Sequence, residues 1–487
     1  MRLLLPLLLA ATLAAAPPLK REIDKLLAST PMSARAHWGI RAVRLDTGKV
    51  LYERQAKSFF TPASNTKLFS TALALSRLGP EYRFKTRILA AGAPDAQGRL
   101  PGDLRLVGGG DPTLTARTFP YEKGPAKGDP LRALDELASQ VAARGVRVIE
   151  GDIVGDDRAY PWEPYPDGWG IQDMVWEYGA PVSALTINDN AIRLRVRPTA
   201  PGQPALVTLD PPLDHYVLHD RVLTVDTPDA RVDVDRLPGS SELRVAGTLR
   251  AGGIGYSTLV AIDDPALYAA RAFKEALTRR GIAVRGRPRA LHRLPGEILP
   301  EPEPAVTIAE RESPPLVEVL KVIDKVSQNL YAELVLREVA RVRRGDAARP
   351  AALEELRAFL AEAGVPKDDY RFEDASGLSR LTLITPEVVT TLLTYMAKSP
   401  HAQPWFDLMP VGGVDGTLEN RFKDLPDGKR VAAKTGSLSH VNALGGYALT
   451  RKGRRVAFSI VVNAYRGPAS EARAIIDKIA VLFANAD

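Results

Sequence analysis

Between Glu81 and Asp264 the chain reads as short β-rich pieces broken by Gly and Pro, as in "LRLVGGGDPTL", "PYPDGWG" and "VRPTAPGQPALVTLDPP". Helix-forming sequence stands on both sides of that block. Before it come the short amphipathic run "LKREIDKLLAST" and the alanine-rich run after Ser64, which stops at "RLGP". Between these two, "HWGIRAVRLDTGKVLYERQ" alternates around a turn and predicts a hairpin. After the block come "LYAARAFKEALTRRG", "LVEVLKVIDKVSQNLYAELVLREVARVRRG", "AALEELRAFLAEAG" and "TPEVVTTLLTYMAKS", and then a closing hairpin and helix. One hydrophobic core rarely grows beyond about 250–300 residues. The 487-residue chain is therefore expected to hold two to four domains. "ELASQVAARGVRVIEGDI" and "RAFKEALTRRGIAVRGRPR" share an order of helix, Arg-Gly stop and strand, read here as a common unit rather than a repeat. "HRLPGEILPEPEPAVT" has the composition of an exposed linker.

The start, "MRLLLPLLLAATLAAAPP", has one basic residue, a leucine-rich run and then small alanines. That order is the pattern of a signal peptide, with Ala14-x-Ala16 as the cleavage site, and the run is too short to span a bilayer. The chain has no cysteine, which excludes disulfides, thiol catalysis and cysteine metal sites. The net charge of +7 comes from 65 basic and 58 acidic residues without a long basic tract. A mildly basic exported protein suits an anionic envelope polymer, and nucleic acid is not an expected partner.

Three short motifs each occur once, in a fixed order: Ser64-x-x-Lys67, Ser327-Gln328-Asn329 and Lys434-Thr435-Gly436-Ser437. A serine hydroxyl needs a base before it becomes a nucleophile. On a helix, positions i and i+3 share a face, so Lys67 can reach Ser64. Burial beside other cations favours the neutral amine that could take the proton. Ser327 can relay a proton to a leaving amine, and Asn329 can orient Lys67 or a substrate backbone. Lys434 and Thr435 offer a cation and a hydroxyl to a carboxylate, and Gly436 admits a substrate close to its strand.

Together the three motifs resemble the penicillin-recognising serine acyl-transferases. Lys67 and Ser327 are 260 positions apart and Asn329 and Lys434 are 105 apart. The long first gap resembles the low-molecular-mass class C penicillin-binding proteins, the D-alanyl-D-alanine carboxypeptidase/endopeptidase family. "LVGGGDPTL", "GDIVGDDRAY", "YGAPVSALTINDN", "DASGLSR" and "MPVGGVDGTL" carry the resemblance through nearly the whole mature chain. It implies an α+β fold in which a β-lactamase/transpeptidase-like domain, an antiparallel sheet flanked by helices, carries inserted β-rich domains. The expected division is a leader over 1–16, a first transpeptidase-like part over 17–80, two inserted domains over 81–264 and a second part over 265–487.

The resemblance further implies an exported enzyme, periplasmic or elsewhere in the cell envelope, that acts through an acyl-enzyme on Ser64. Peptidoglycan stem peptides and β-lactams are its expected partners, a peripheral association with the membrane or wall is expected, and no cofactor is. The backbone N–H groups of Ser64 and Ser437 would form the oxyanion hole. Asp156, with Tyr160 packed nearby, and Arg380 would face the side-chain end of the stem peptide, and Asp157 is an alternative to Asp156. A β-lactamase would need a dedicated carboxylate loop between Asn329 and Lys434, and no Glu-x-x-x-Asn stands there. A binding module without activity would be expected to have lost one of the motif residues. His215 and His219 stand four apart but in a strand-like, proline-flanked context, so no metal is expected.

Overall fold

In the computed structural model, residues 19–227, 231–300 and 304–486 are described, and the leader expected over 1–16 lies outside them. The chain termini build one antiparallel sheet of five strands. Its order is Val431–Leu438, Val441–Leu449, Arg455–Asn463, His37–Arg44 and Val50–Arg54. The alternation read around "DTGK" is the His37–Arg44/Val50–Arg54 hairpin, with Ile40 opposite Arg54. Strand periodicity decides which side chains face which layer. Trp38, Ile40 and Ala42 turn to one face and pack with Ile460, Ile476 and Phe483, under the helices Leu19–Leu27 and Ala469–Ala484. Arg41 turns to the other face, where it reaches Thr390 Oγ1 at 3.1 Å and Glu387 at 3.0 Å on the helix Pro386–Met396.

Beyond that helix lies an all-helical layer built from Lys67–Leu78, Leu316–Lys321, Asn329–Arg344 and Arg349–Glu362. Leu68, Leu73, Val319, Tyr331, Val335 and Phe359 share its core. Every residue of the Lys67–Leu78 helix from Lys67 to Leu75 is buried. Its alanines let neighbouring helices approach on all sides. A helix apolar around its whole circumference belongs in a core.

A second sheet, of mixed direction, has the order Pro288–Arg293, Ile153–Pro161, Leu104–Val107, Lys85–Ala90 and Val306–Glu312. The two units with similar sequence are neighbours here. Their helices, Arg132–Ala143 and Pro265–Arg279, contribute Leu137 and Phe273 to one core. Their strands pair in parallel, Val148 with Ala283 and Ile153 with Pro288. The 264/265 division therefore falls inside this body. Asp264 caps the Pro265–Arg279 helix, and the strands beyond it supply both sheet edges. The proline-rich stretch read as a linker joins those two edge strands. Two three-stranded sheets between residues 191 and 261 complete the β-rich part, packing Ile192, Leu194 and Val260 with Val222 and Val245.

Candidate active site

Ser64 lies on a single 3-10 turn, Ala63–Thr66, that runs into the Lys67–Leu78 helix. It thus precedes the helix expected to carry it. Ala63 has φ +49°, a left-handed conformation that a non-glycine residue adopts only when its surroundings hold it there. Several contacts do so. The Asn65 side-chain amide donates to the Lys434 carbonyl at 2.9 Å, and Thr66 Oγ1 donates to the Ala63 carbonyl at 2.9 Å. Thr61 N donates to Asn463 Oδ1 at 2.9 Å, bolting the approach to the sheet. Gly377 sits so close to the Ala63 carbonyl that a Cβ there would collide with it.

Lys67 and Lys434 are both fully buried. Lys67 Nζ lies 2.9 Å from Ser64 Oγ, 2.6 Å from Asn329 Oδ1 and 2.7 Å from the Ser376 carbonyl. Burial, and then the Lys434 cation, hold the Lys67 amine well below its ordinary range, against the pull of Asp374, Glu333 and Asp324. A neutral amine has two N–H bonds and one lone pair. With Asn329 and Ser376 accepting the two N–H bonds, the lone pair is left for the Ser64 hydroxyl. Ser64 is half-buried and stays within reach of a substrate.

Ser327 follows a wide π-helical turn, Val322–Val326, and takes φ +68° before the Asn329–Arg344 helix starts. That left-handed residue turns its hydroxyl to Lys434, whose Nζ donates to Ser327 Oγ at 2.9 Å and to the Thr435 carbonyl at 2.9 Å. Burial lowers the Lys434 ammonium to about 8, opposed by Asp324. Asn329 is committed on both sides, since its Nδ2 donates to the Tyr178 carbonyl at 2.7 Å. Of the two roles open to Asn329, holding Lys67 is the one this geometry occupies. Thr435 Oγ1 donates to Thr417 Oγ1 at 2.9 Å, and Ser437 Oγ donates to Asn442 Oδ1 at 3.1 Å. At Gly436 a Cβ would lie 2.6 Å from the Pro62 carbonyl, so only glycine lets this strand meet the Ser64 turn.

The three motifs converge, as their chemistry requires. The side-chain end of the cleft differs from expectation. Asp156 is buried and paired with Arg158 at 2.7 Å, and Asp157 accepts from Ser183 and His292. Tyr160 is buried with its hydroxyl donating to Glu338 at 3.0 Å. All three lie on the Ile153–Pro161 strand inside the second sheet, where Arg158 of the same strand takes up Asp156 and neighbouring segments take up Asp157 and Tyr160. Asp156 and Tyr160 are therefore not cleft residues here. Arg380 is exposed and donates to the Ser439 carbonyl at 3.4 Å, just past the Lys434 strand. The insert acid that reaches this segment is Asp167, whose carbonyl accepts from Ser379 Oγ at 2.7 Å while its carboxylate pairs with Arg349 at 3.0 Å. His215 and His219 face Asp263 and Glu242 respectively and do not converge.

Two buried carboxylates were missed in the sequence. Glu333, one turn beyond Asn329, accepts from Ala375 N at 3.0 Å and Ser376 N at 2.9 Å. It thereby fixes the carbonyl that receives Lys67. Burial raises its carboxyl to about 7, with the Asp374 charge adding to the effect. Asp324 is fully buried three residues before Ser327, and among the described residues neither of its oxygens has a partner in good hydrogen-bond geometry, Thr71 being a looser neighbour. Burial raises Asp324 to about 7 despite Lys434, Lys67 and Lys325. A polar residue at helical spacing from a motif is the signal for Glu333, but its partners lie more than forty positions away.

Known proteins are similar to the chain over nearly all of its described length. The model of the D-Ala-D-Ala carboxypeptidase 3 (S13) family matches residues 19–486. A D-alanyl-D-alanine carboxypeptidase of Actinomadura sp. (strain R39) is 34% identical over 478 residues, 96% of this chain and 84% of that one. The D-alanyl-D-alanine carboxypeptidase DacB of Haemophilus influenzae is 27% identical over 88% of this chain and 85% of its own. The crystal structure of penicillin binding protein 4 from Haemophilus influenzae superposes with a TM-score of 0.82 at 24% identity. It covers 95% of this chain and 99% of that chain. This likeness shows a shared fold, the expected helix-flanked antiparallel sheet with its insert.

Proposed function

The chain belongs to the D-Ala-D-Ala carboxypeptidase 3 (S13) family of serine peptidases, and on that premise we propose how its residues divide the reaction. The substrate is a peptidoglycan stem peptide ending in D-Ala-D-Ala, or a D-amino-acid cross-link between two such peptides. The observation that carries this reading is the buried, neutral-leaning Lys67 amine 2.9 Å from Ser64 Oγ.

Lys67 takes the Ser64 proton as Oγ attacks the carbonyl carbon of the penultimate D-Ala. The oxyanion forms against the backbone N–H groups of Ser64 and Ser437, donors of the kind that favour the transition state most. Ser327, oriented by its 2.9 Å contact with Lys434, relays to the departing nitrogen the proton that Lys67 took from Ser64, so Lys67 is again a neutral amine and Lys434 keeps its charge. The C–N bond breaks, and D-alanine or the cross-linked peptide amine leaves. Water then attacks the ester, with Lys67 as base, and Ser64 is regenerated. Lys434 and Thr435 hold the substrate carboxylate, and Gly436 lets the peptide lie along the strand. Arg380, exposed beside Ser439, supports a role in holding a side-chain carboxylate.

A β-lactam presents a strained amide and a carboxylate to the same groups, so penicillin acylates Ser64. The leader-like start supports export to the periplasm or cell envelope, with peripheral attachment to wall or membrane. Among the described residues no helix is long and apolar enough to cross a membrane. The test is D-alanine release from a pentapeptide ending in D-Ala-D-Ala. Wild type is expected to release it, and Ser64→Ala is expected to lose at least about 10³-fold in kcat. Undiminished release by Ser64→Ala would overturn the assignment.

A further inference from the structure

A cavity of about 520 Å³ opens beside Ser327 and Asn329 and runs outward between the motif helix and the β-rich insert. Its walls come from the segment around Arg117–Pro130, the stretch around Glu177–Asp189, and the strands Ala191–Arg197 and Leu206–Asp210. Departing D-alanine is one small amino acid and needs only a fraction of that room, while the volume falls in the range of pockets that hold whole ligands. Ser327, the hydroxyl that protonates the leaving amine under the function proposed above, lines the cavity. The cavity therefore lies on the leaving-group side.

The charges in its walls are not all matched. Arg117 is paired with Asp189 at 2.6 Å and Arg195 with Asp210 at 3.2 Å. That leaves Lys127, Arg193 and Glu177. Among the described residues neither Lys127 nor Arg193 has a carboxylate within ion-pair distance, and Arg193 makes only a 3.4 Å contact to Ser257 Oγ. Glu177 is half-buried and, among the described residues, beyond ion-pair distance of any cation; burial raises its carboxyl, with the more distant Arg193 charge pulling the other way. Two cations and one acid without a partner at ion-pair distance, in a cavity lined by both polar and apolar groups, complement a peptide with free carboxylates and an amino group.

We propose that this cavity is a subsite for the leaving stem peptide of a cross-linked dimer, with Arg193 and Lys127 receiving its carboxylates and Glu177 its amine. The inference rests on the acyl-enzyme reading above and names the substrate class that reading left divided. A carboxypeptidase substrate leaves the subsite empty of peptide, whereas a cross-linked substrate fills it. Arg193 stands on the strand Ala191–Arg197, paired to Leu259 and Asp210 through backbone, so changing its side chain leaves the ladder intact.

The experiment compares kcat/KM for a cross-linked muropeptide dimer with kcat/KM for a D-Ala-D-Ala pentapeptide. Wild type, Arg193→Gln, Lys127→Gln and Arg193→Lys are measured, and only protein that acylates fully with benzylpenicillin is counted. The dimer-to-pentapeptide ratio is expected to fall about tenfold or more in Arg193→Gln, less in Lys127→Gln, and to recover in Arg193→Lys. A ratio unmoved by the Gln substitutions, or a wild type that cleaves pentapeptide but not dimer, overturns the subsite while leaving the acyl-enzyme reading in place. A wild type that cleaves neither substrate and takes up no penicillin overturns both.

Discussion

Replacing Glu333 by alanine removes the single carboxylate oxygen that accepts from both Ala375 N and Ser376 N. Glu333 is 2% exposed, and Ala375 and Ser376 are at most 1% exposed, so water does not take over. Each buried N–H left without an acceptor costs about 1–3 kcal/mol, so the pair costs about 2–6 kcal/mol. That is a large share of a typical folding free energy of about 5–15 kcal/mol. The same loss frees the Ser376 carbonyl, one of the two acceptors that aim the Lys67 lone pair at Ser64. Glu333→Gln keeps an acceptor oxygen at the same reach but loses the charge assistance, about half of the interaction. Urea unfolding should therefore rank wild type above Glu333→Gln above Glu333→Ala. The second-order rate of penicillin acylation should follow the same order, with about a tenfold loss or more in Glu333→Ala. A Glu333→Ala protein within about 1 kcal/mol of wild type and acylating at the wild-type rate would refute the reasoning.

The activity should be bell-shaped in pH, rising as the depressed Lys67 amine loses its proton and falling as Lys434 loses its charge near about 8. Lys434→Arg, whose cation does not titrate in this range, should abolish the alkaline fall even where it lowers the maximum, as a kcat/KM profile on pentapeptide would show. Gly436→Ala forces a Cβ to 2.6 Å from the Pro62 carbonyl. It should cut the acylation rate at least about tenfold while circular dichroism shows an intact fold. His292 lies between Asp157 and Asp264, and their hydrogen bonds outweigh burial and raise its imidazolium to about 10 from 6.5. A raised cation pKa stabilises the fold fully below pH 6.5, and that contribution is lost as pH rises to about 10. The stability gap between wild type and His292→Gln should therefore narrow across that window in denaturant titrations.

Ser64, Lys67 and the two partner motifs, which the fold brings together, could be singled out in the sequence because each is a short, locally spaced set of polar residues inside helix- or strand-forming runs. The alternation of "HWGIRAVR" and the Ala-rich run after Ser64 likewise carry their burial in their own periodicity. What was not legible depends on contacts distant in the chain. The 3-10 turn at Ser64 and the left-handed Ala63 are imposed by Lys434, Asn463 and Gly377, and no local propensity foretells them. Asp156 and Tyr160 sit in a sequence signature that fits the family. Yet a strand inside a sheet buries each side chain against what it faces: Tyr160 meets Glu338 of a neighbouring helix, and Asp156 is taken up by Arg158, two residues on along the same strand face. The 264/265 boundary failed for a related reason: helical texture after Asp264 says nothing about which sheet the helix packs on. Tyr178 and Ser376 act through backbone carbonyls, which any residue type would offer.

The central claim is that Ser64 forms a covalent acyl-enzyme with Lys67 as its base. Its most direct test is intact-mass spectrometry of leaderless protein incubated with benzylpenicillin, alongside Ser64→Ala. A persistent gain of one drug mass on wild type, absent from Ser64→Ala, is the predicted result. The same gain on both proteins, or drug consumed by wild type with no adduct at any time point, would contradict it.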